Sequence, residues 1–287
     1  MKVTDRSYQA TGQPCFICDF SPPRTGDVGL VDQANIDADF ISVAYNPGRA
    51  VRVNSAMLAA AIKQRNGKDV TFTLATRDMN QLALQSQLLG AQMLGLENLV
   101  LVQGDPFSPR DLTRTKAVDD ISPTGMIAAV KSMNQGLDFR DSQLRMPTDF
   151  CIGATADLGR GLGPEAMLTH RKVMAGADFL VTQPIFDLAE AEGFAEAYRA
   201  TAGETLNLPV FYGLQILEQD GVIFSSVPQA VRDQLEGGRP GVEIALELYQ
   251  SFRANGLQNI YLVPPIRRGG ARSYGAAREF LAQAKGA

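Results

Sequence analysis

Short apolar runs alternate along the chain with longer stretches of helical period. Runs bounded by Gly, Pro, Asn or Asp predict strands at residues 15–20, 40–45, 70–75, 99–102, 150–154, 179–181, 210–214 and 260–263. Apolar residues at three- and four-residue spacing predict helices at 54–65, 79–94, 124–134, 164–175, 188–200 and 242–254. Eight strands alternating with helices within 287 residues predict a closed (β/α)8 barrel, a TIM barrel, forming one domain over 1–287. An open doubly wound sheet is the second choice, weakened because no strand is followed by a G-x-G-x-x-G turn. The connections are uneven. Residues 104–121 and 136–149 are polar and charged, the first reading as a long loop over one barrel end, and 217–236 includes an extra short helix at 227–235.

One segment, Ala175-Gly176-Ala177-Asp178-Phe179-Leu180-Val181-Thr182-Gln183-Pro184-Ile185-Phe186-Asp187, holds a whole βα step. Ala175-Gly176 ends a helix, 178–181 is a buried strand, Pro184 closes it and Asp187 is placed to cap the next helix. Burial accounts for Phe179 to Val181. It does not account for Gln183, a polar side chain at the C-terminal mouth where barrels build their sites. Gln183 is therefore a candidate ligand-binding residue.

Composition narrows the function class. Hydrophobic residues at 45% and charged residues at 20% are ordinary for a globular chain, and a net charge of −4 argues against nucleic acid or an anionic membrane as partner. No apolar run reaches spanning length and the N-terminus lacks the apolar core of a signal peptide, so a cytoplasmic location is expected. Three cysteines make no disulfide framework at this size. Cys15 and Cys18 form a C-x-x-C, but residues three apart on a strand face opposite ways, so they read as buried thiols. His170 is the single histidine, which excludes a histidine-based metal site or a Ser-His-Asp triad; no metal is expected. A small-molecule partner fits this composition, and a homo-oligomer stays open.

The other strand mouths supply further candidates. Asp19 ends the first strand before Ser21-Pro22-Pro23-Arg24, and reads either as a desolvated acid suited to proton donation or as a carboxylate accepting from nearby backbone amides. Gly104-Asp105 after strand four offers a planar ligand close approach to the backbone and a carboxylate that accepts from ring N–H groups. Gly-Asp-Pro is also an ordinary turn. Glu165 and Lys172, seven apart, share one helix face and read first as a solvated pair. Tyr45 and Thr155 stand at small polar mouths. Phe211, Tyr212 and Gln215, with Phe224 in the insertion, are placed either to meet an aromatic ligand or to pack the core.

Taken in order, Asp19-Phe20-Ser21-Pro22-Pro23-Arg24, Leu101-Val102-Gln103-Gly104-Asp105-Pro106 and the stretch from Arg171-Lys172 to Thr182-Gln183-Pro184-Ile185-Phe186-Asp187 resemble the methylenetetrahydrofolate reductase family, over residues 16–282. The resemblance implies a (β/α)8 catalytic barrel that uses FAD to pass hydride from NAD(P)H to 5,10-methylenetetrahydrofolate, giving 5-methyltetrahydrofolate. It implies that Asp19 takes the place of the family's glutamate, the acid that assists protonation at the folate N10, retracted here by one methylene. Asp105 would lie near the flavin and pterin rings and Gln183 would bond the pterin. Gln215 and Phe224 would belong to the substrate side, and Tyr45, Gly104, Thr155, Glu165 and Lys172 to the cofactor side.

Departures from the family pattern concentrate on the flavin. Ala44 stands where the pattern has Thr, Thr73 where it has His, and Gln103 where it has Arg. The run from Thr155 to Gly161 replaces a Tyr-Pro-Glu-x-His stretch. Each lost charge-assisted donor is worth about 1.5–3 kcal/mol. The expectation is weakened, altered or absent flavin binding beside a better-kept folate half. Two alternatives accompany the reductase: a flavin-free reductase, and a folate- or pterin-binding homologue serving a methyltransferase or corrinoid partner.

Overall fold

The computed structural model describes residues 1–223, 226–267 and 270–286. Eight parallel strands close into a barrel in chain order: β1 (Cys15–Phe20), β2 (Phe40–Val43), β3 (Asp69–Ala75), β4 (Asn98–Val102), β5 (Cys151–Ala156), β6 (Phe179–Pro184), β7 (Val210–Gln215) and β8 (Asn259–Val263). Closure comes from β8 pairing with β1 in the register Cys15↔Asn259. Helices α1 (Val3–Arg6) and α2 (Tyr8–Thr11) precede the barrel. The outer ring holds α3 (Ser55–Asn66), α4 (Gln81–Met93), α5 (Pro123–Asn134), α6 (Leu162–Met174), α7 (Leu188–Ala202), α9 (Gly241–Ala254) and α10 (Tyr274–Gly286), with the short α8 (Gln229–Glu236) between β7 and α9. The expected (β/α)8 barrel and its extra helix after β7 are both present. Additions to the expected elements include α1, α2, α10 and a 3₁₀ turn at Val28–Ala34, which takes the place of a helix between β1 and β2.

Alternation along the strands separates two layers. Phe16, Cys18, Phe20, Phe72 and Leu74 pack outward against the helices, while Cys15, Ile17, Phe40, Val100, Phe179, Val181 and Phe211 fill the barrel. Cys15 and Cys18 thus lie on opposite faces, as their spacing requires. Both are free thiols, and burial pushes Cys15 up to about 12. Phe211 meets Phe179 edge-on, with ring centroids 6.0 Å apart, and Tyr212 packs outward; both are core residues and neither lines a ligand cavity at the mouth. Gly153 makes room for this core: a Cβ there would stand 2.4 Å from the Phe179 ring.

The N-terminal end of the barrel is closed by the chain's first residues. Val3 is fully buried in the interior cluster. Its N–H donates to Asn98 Oδ1 (2.8 Å) at the start of β4, and the Tyr8 N–H donates to Asn259 Oδ1 (2.7 Å) at the start of β8. The opposite, C-terminal end carries a cavity between the strand mouths. No helix among the described residues is long and apolar enough to cross a membrane.

Candidate active site

β6 does not run straight into its mouth. Its pairing with β7 shifts register between Val181 and Pro184. Thr182 Oγ1 accepts from the Gly213 N–H (2.8 Å) and donates to the Gln183 carbonyl (2.8 Å), so one hydroxyl spans the irregularity. Gly213 is required there, because a Cβ would lie 2.6 Å from the Gln183 carbonyl carbon. Bulges of this kind re-aim a side chain at a sheet's end, and Gln183 becomes part of a cavity wall. Pro184 closes the strand as expected, being its last residue, three beyond the apolar run that ends at Val181. Asp187 does cap α7, accepting from the Ala189 N–H at 2.9 Å.

The cavity, about 1170 Å³, brings together Tyr45, Gly104, Asp105, Thr155, Lys172 and Gln183 from the mouths of β2, β4, β5 and β6 and from α6. Three of these polar side chains, Asp105, Thr155 and Gln183, are uncommitted among the described residues. The Asp105 carboxylate forms no ion pair or hydrogen bond, and the Gln183 amide forms no hydrogen bond, among the described residues. Gly104 has φ +93°, and a Cβ would press on the Ala75 Cβ at 3.3 Å, so its glycine is demanded by the turn after β4.

Arg77 and Tyr45, on the same wall, are engaged by the protein itself. Arg77, two residues past the end of β3, places Nε 2.6 Å from Asp78 Oδ1 and Nη2 2.7 Å from Oδ2. Its Nη1 donates to the Asp105 carbonyl, and its guanidinium covers the Phe107 ring at 4.0 Å. Burial raises the Asp78 carboxyl, but donors from Arg77 and Tyr45 outweigh it and hold Asp78 below the usual range. Burial, then the Asp78 charge, pushes the Tyr45 phenol up to about 12.

Lys172 and Glu165 are not a solvated pair. Their side chains are 9% and 2% exposed, with Nζ 3.6 Å from Oε1. Lys172 donates instead to the Thr155 carbonyl at 2.5 Å, and Glu165 Oε1 has no hydrogen-bond partner. Burial is the first cause for both: it lowers the lysine and raises the glutamate, in each case favouring the uncharged form over what the pair returns. Glu165 stands behind Lys172 rather than on the cavity wall. The cations that remain on that wall are Arg160, largely exposed and 3.0 Å from Asp157, and Arg171, which forms no ion pair among the described residues.

Asp19 lies on the inner face of β1, buried, away from the wall of that cavity. It is not an isolated acid. Tyr261 Oη donates to Oδ1 at 3.0 Å and Arg272 Nε to Oδ2 at 3.0 Å, the arginine side chain being 4% exposed. Burial, then the Asp19 charge, holds the Tyr261 phenol well above its usual range, and Tyr261 also reaches Ser42 on β2. Neither expected reading of Asp19 included this pair; its partners come from the far end of the chain. Gln215 is buried on the inner face of β7 and donates to the Val222 carbonyl at 2.8 Å, which fixes the start of the β7–α8 connection. Phe224 lies outside the described residues. No cluster of metal-ligating side chains occurs among the described residues.

Sequence reasoning placed Arg77 at the third strand's mouth without a role and missed Asp78, Tyr261 and Arg272. Arg77-Asp78 carried a readable signal, two charges just past a buried strand; Arg272, 253 residues from Asp19, carried none.

The family model for methylenetetrahydrofolate reductase matches residues 4–263. Methylenetetrahydrofolate reductase 1 of Schizosaccharomyces pombe is 23% identical over 292 residues, covering 91% of this chain and 45% of that protein, so the chain spans about half the length of this curated relative. Among solved structures, an uncharacterized protein from Clostridium thermocellum that binds two copies of 5-methyl-5,6,7,8-tetrahydrofolic acid matches with a TM-score of 0.67 at 11% identity, covering 95% of this chain and 96% of the other; that likeness is one of fold. A match that runs from α1 through β8, over a barrel whose mouth gathers Gly104, Asp105 and Gln183, makes this chain a member of the methylenetetrahydrofolate reductase family.

Proposed function

We propose that this chain is a folate reductase that converts 5,10-methylenetetrahydrofolate to 5-methyltetrahydrofolate with NAD(P)H as the hydride source. The observation that carries the reading is a pair of uncommitted side chains on the cavity wall, Asp105 and Gln183. A carboxylate accepts from two neighbouring N–H groups, and a primary amide both donates and accepts. Together they suit the amino-pyrimidinone edge of a pterin. The Clostridium protein's methyltetrahydrofolate ligand adds support for a folate in a barrel of this shape.

The reaction requires a proton at the folate N10, which opens the methylene bridge to an N5 iminium that accepts hydride at its carbon. Asp19, on the barrel's inner face, is the residue we assign to that proton: it would take one up from water and pass it on toward N10, with the Tyr261 hydroxyl donating to Oδ1 and Arg272 to Oδ2 to hold it in place. A flavin dinucleotide fits the β5–α6 wall by charge, because Arg160 and Arg171 line the cavity there and suit a diphosphate. Lys172, on the same wall and donating to the Thr155 carbonyl, orders it, with Glu165 behind. When bound, a flavin supplies a hydride relay between nicotinamide and folate.

A second reading, a folate-binding homologue that presents its ligand to a partner, draws on the ion pair that occupies Asp19. One experiment separates the two. NAD(P)H oxidation is followed anaerobically with 5,10-methylenetetrahydrofolate, with and without added FAD, alongside calorimetric titration of 5-methyltetrahydrofolate. Substrate-dependent oxidation is expected. Binding without oxidation under either condition selects the binding homologue, and neither oxidation nor binding overturns the folate reading altogether.

A further inference from the structure

Between β4 and α5 the chain runs from Gln103 to Ser122 with only a 3₁₀ turn at Asp111–Thr113, and it carries Asp105 near its start. The Asp105 carboxylate has no side-chain partner among the described residues, so its placement must come from its backbone. Arg77 grips that backbone at both roots. On the near side its own N–H donates to the Gln103 carbonyl at 3.0 Å, and its Nη1 donates to the Asp105 carbonyl. On the far side its carbonyl accepts from the Val118 N–H at 2.7 Å and the Asp119 N–H at 3.4 Å. Phe107 lies against its guanidinium face, and Asp78 holds the fork from the opposite edge.

We infer that Arg77 is a positioning residue, which holds the Gln103–Asp119 connection so that Asp105 meets the ligand; the inference rests on the folate reading of the cavity. Each of the three guanidinium nitrogens has a partner within the protein, and the flat face has Phe107. Arg77 lines the cavity, yet with 5% exposure and its donors on Asp78 and Asp105 it acts on the ligand through Asp105. A planar fork is needed for this: one edge spans both oxygens of Asp78, another donor reaches a carbonyl, and the flat face stacks on Phe107. A lysine keeps the charge but supplies neither the fork nor the face.

The test is a double-variant cycle on the full chain with 5-methyltetrahydrofolate as the titrated probe. Arg77→Lys is expected to raise Kd about tenfold. In an Asp105→Ala background the same change is expected to raise it no further, because the residue being positioned is already gone. Trypsin sites at Arg110, Arg114 and Lys116 give an independent readout, with cleavage there expected to accelerate in Arg77→Lys. A wild-type Kd in Arg77→Lys, or losses that multiply in the double variant, overturns the inference. Should Arg77→Lys fail to fold, Phe107→Leu removes only the stacked face, and its loss of affinity must likewise vanish in the Asp105→Ala background. If the wild-type chain binds no folate, the functional reading falls separately; cleavage then still decides whether Arg77 holds the connection, and an unchanged rate means it does not.

Discussion

Lys172 and Glu165 sit where burial costs each charge more than the other returns. Glu165, raised above its ordinary 4.5, still holds a proton in the folded state at pH values where the unfolded chain has released it. Stability therefore falls as pH rises through the window just above 4.5. Lys172, lowered from its ordinary 10.5, has the opposite slope: stability rises with pH through the window just below 10.5. Removing one member leaves the other buried alone. Lys172→Met is expected to cost about 3 kcal/mol, and adding Glu165→Gln to recover most of that loss, both read from urea unfolding at neutral pH. The paired carboxylate on β1 calls for a kinetic test instead. Asp19→Asn keeps the shape and removes the charge facing Arg272 and Tyr261. Folate reduction is expected to fall by about a hundredfold or more, while any transfer from NAD(P)H to added FAD is kept. Equal loss in both half-reactions would make Asp19 a structural residue.

Elements were more legible than their joints. Each strand is a short apolar run between turn residues, and the ring helices α3 to α7 and α9 each bury a stripe, so the barrel follows from spacing alone. α10 is harder to see because small residues such as Ala277 and Ala284 carry much of its buried face. Contacts between distant segments leave no local trace: Arg272 reaches Asp19 across the whole chain, and the register shift in β6 exists only in its pairing with β7. Gln183 was legible as an unexplained polar residue, while the device that aims it, Thr182 with Gly213, was not. Thr182→Val keeps the shape and removes both hydroxyl hydrogen bonds. It is expected to weaken 5-methyltetrahydrofolate binding by about five- to tenfold, with Thr182→Ser restoring the wild-type value. Gly213→Ala is expected to cost about 2 kcal/mol in unfolding measurements, since backbone cannot yield as a side-chain tip does. Wild-type affinity in Thr182→Val would show that the strand end holds Gln183 without the hydroxyl.

At the scale of the molecule the barrel has a structural end and a chemical end, and the two should separate in experiment. Val3, Asn98 and Asn259 close the N-terminal end with an apolar plug and two side-chain amides that accept from the α1–α2 backbone. Asp105 and Gln183 stand at the other end with hydrogen-bonding capacity left open. The family match covers both ends, so membership alone does not say which residue serves which purpose. Val3→Ala removes two methyl-sized groups from a fully buried site, and is expected to cost about 2 kcal/mol of stability with no change in 5-methyltetrahydrofolate affinity. Gln183→Ala is expected to do the reverse: a partly exposed side chain with no protein partner can be removed within about 0.5 kcal/mol of wild-type stability, while the ligand loses its amide contact and Kd rises about tenfold. Measuring both quantities on both variants gives a crossed pattern if the mouth is the binding site. A Gln183→Ala protein that loses stability and keeps its affinity would move the ligand away from β6 and break the assignment of the mouth.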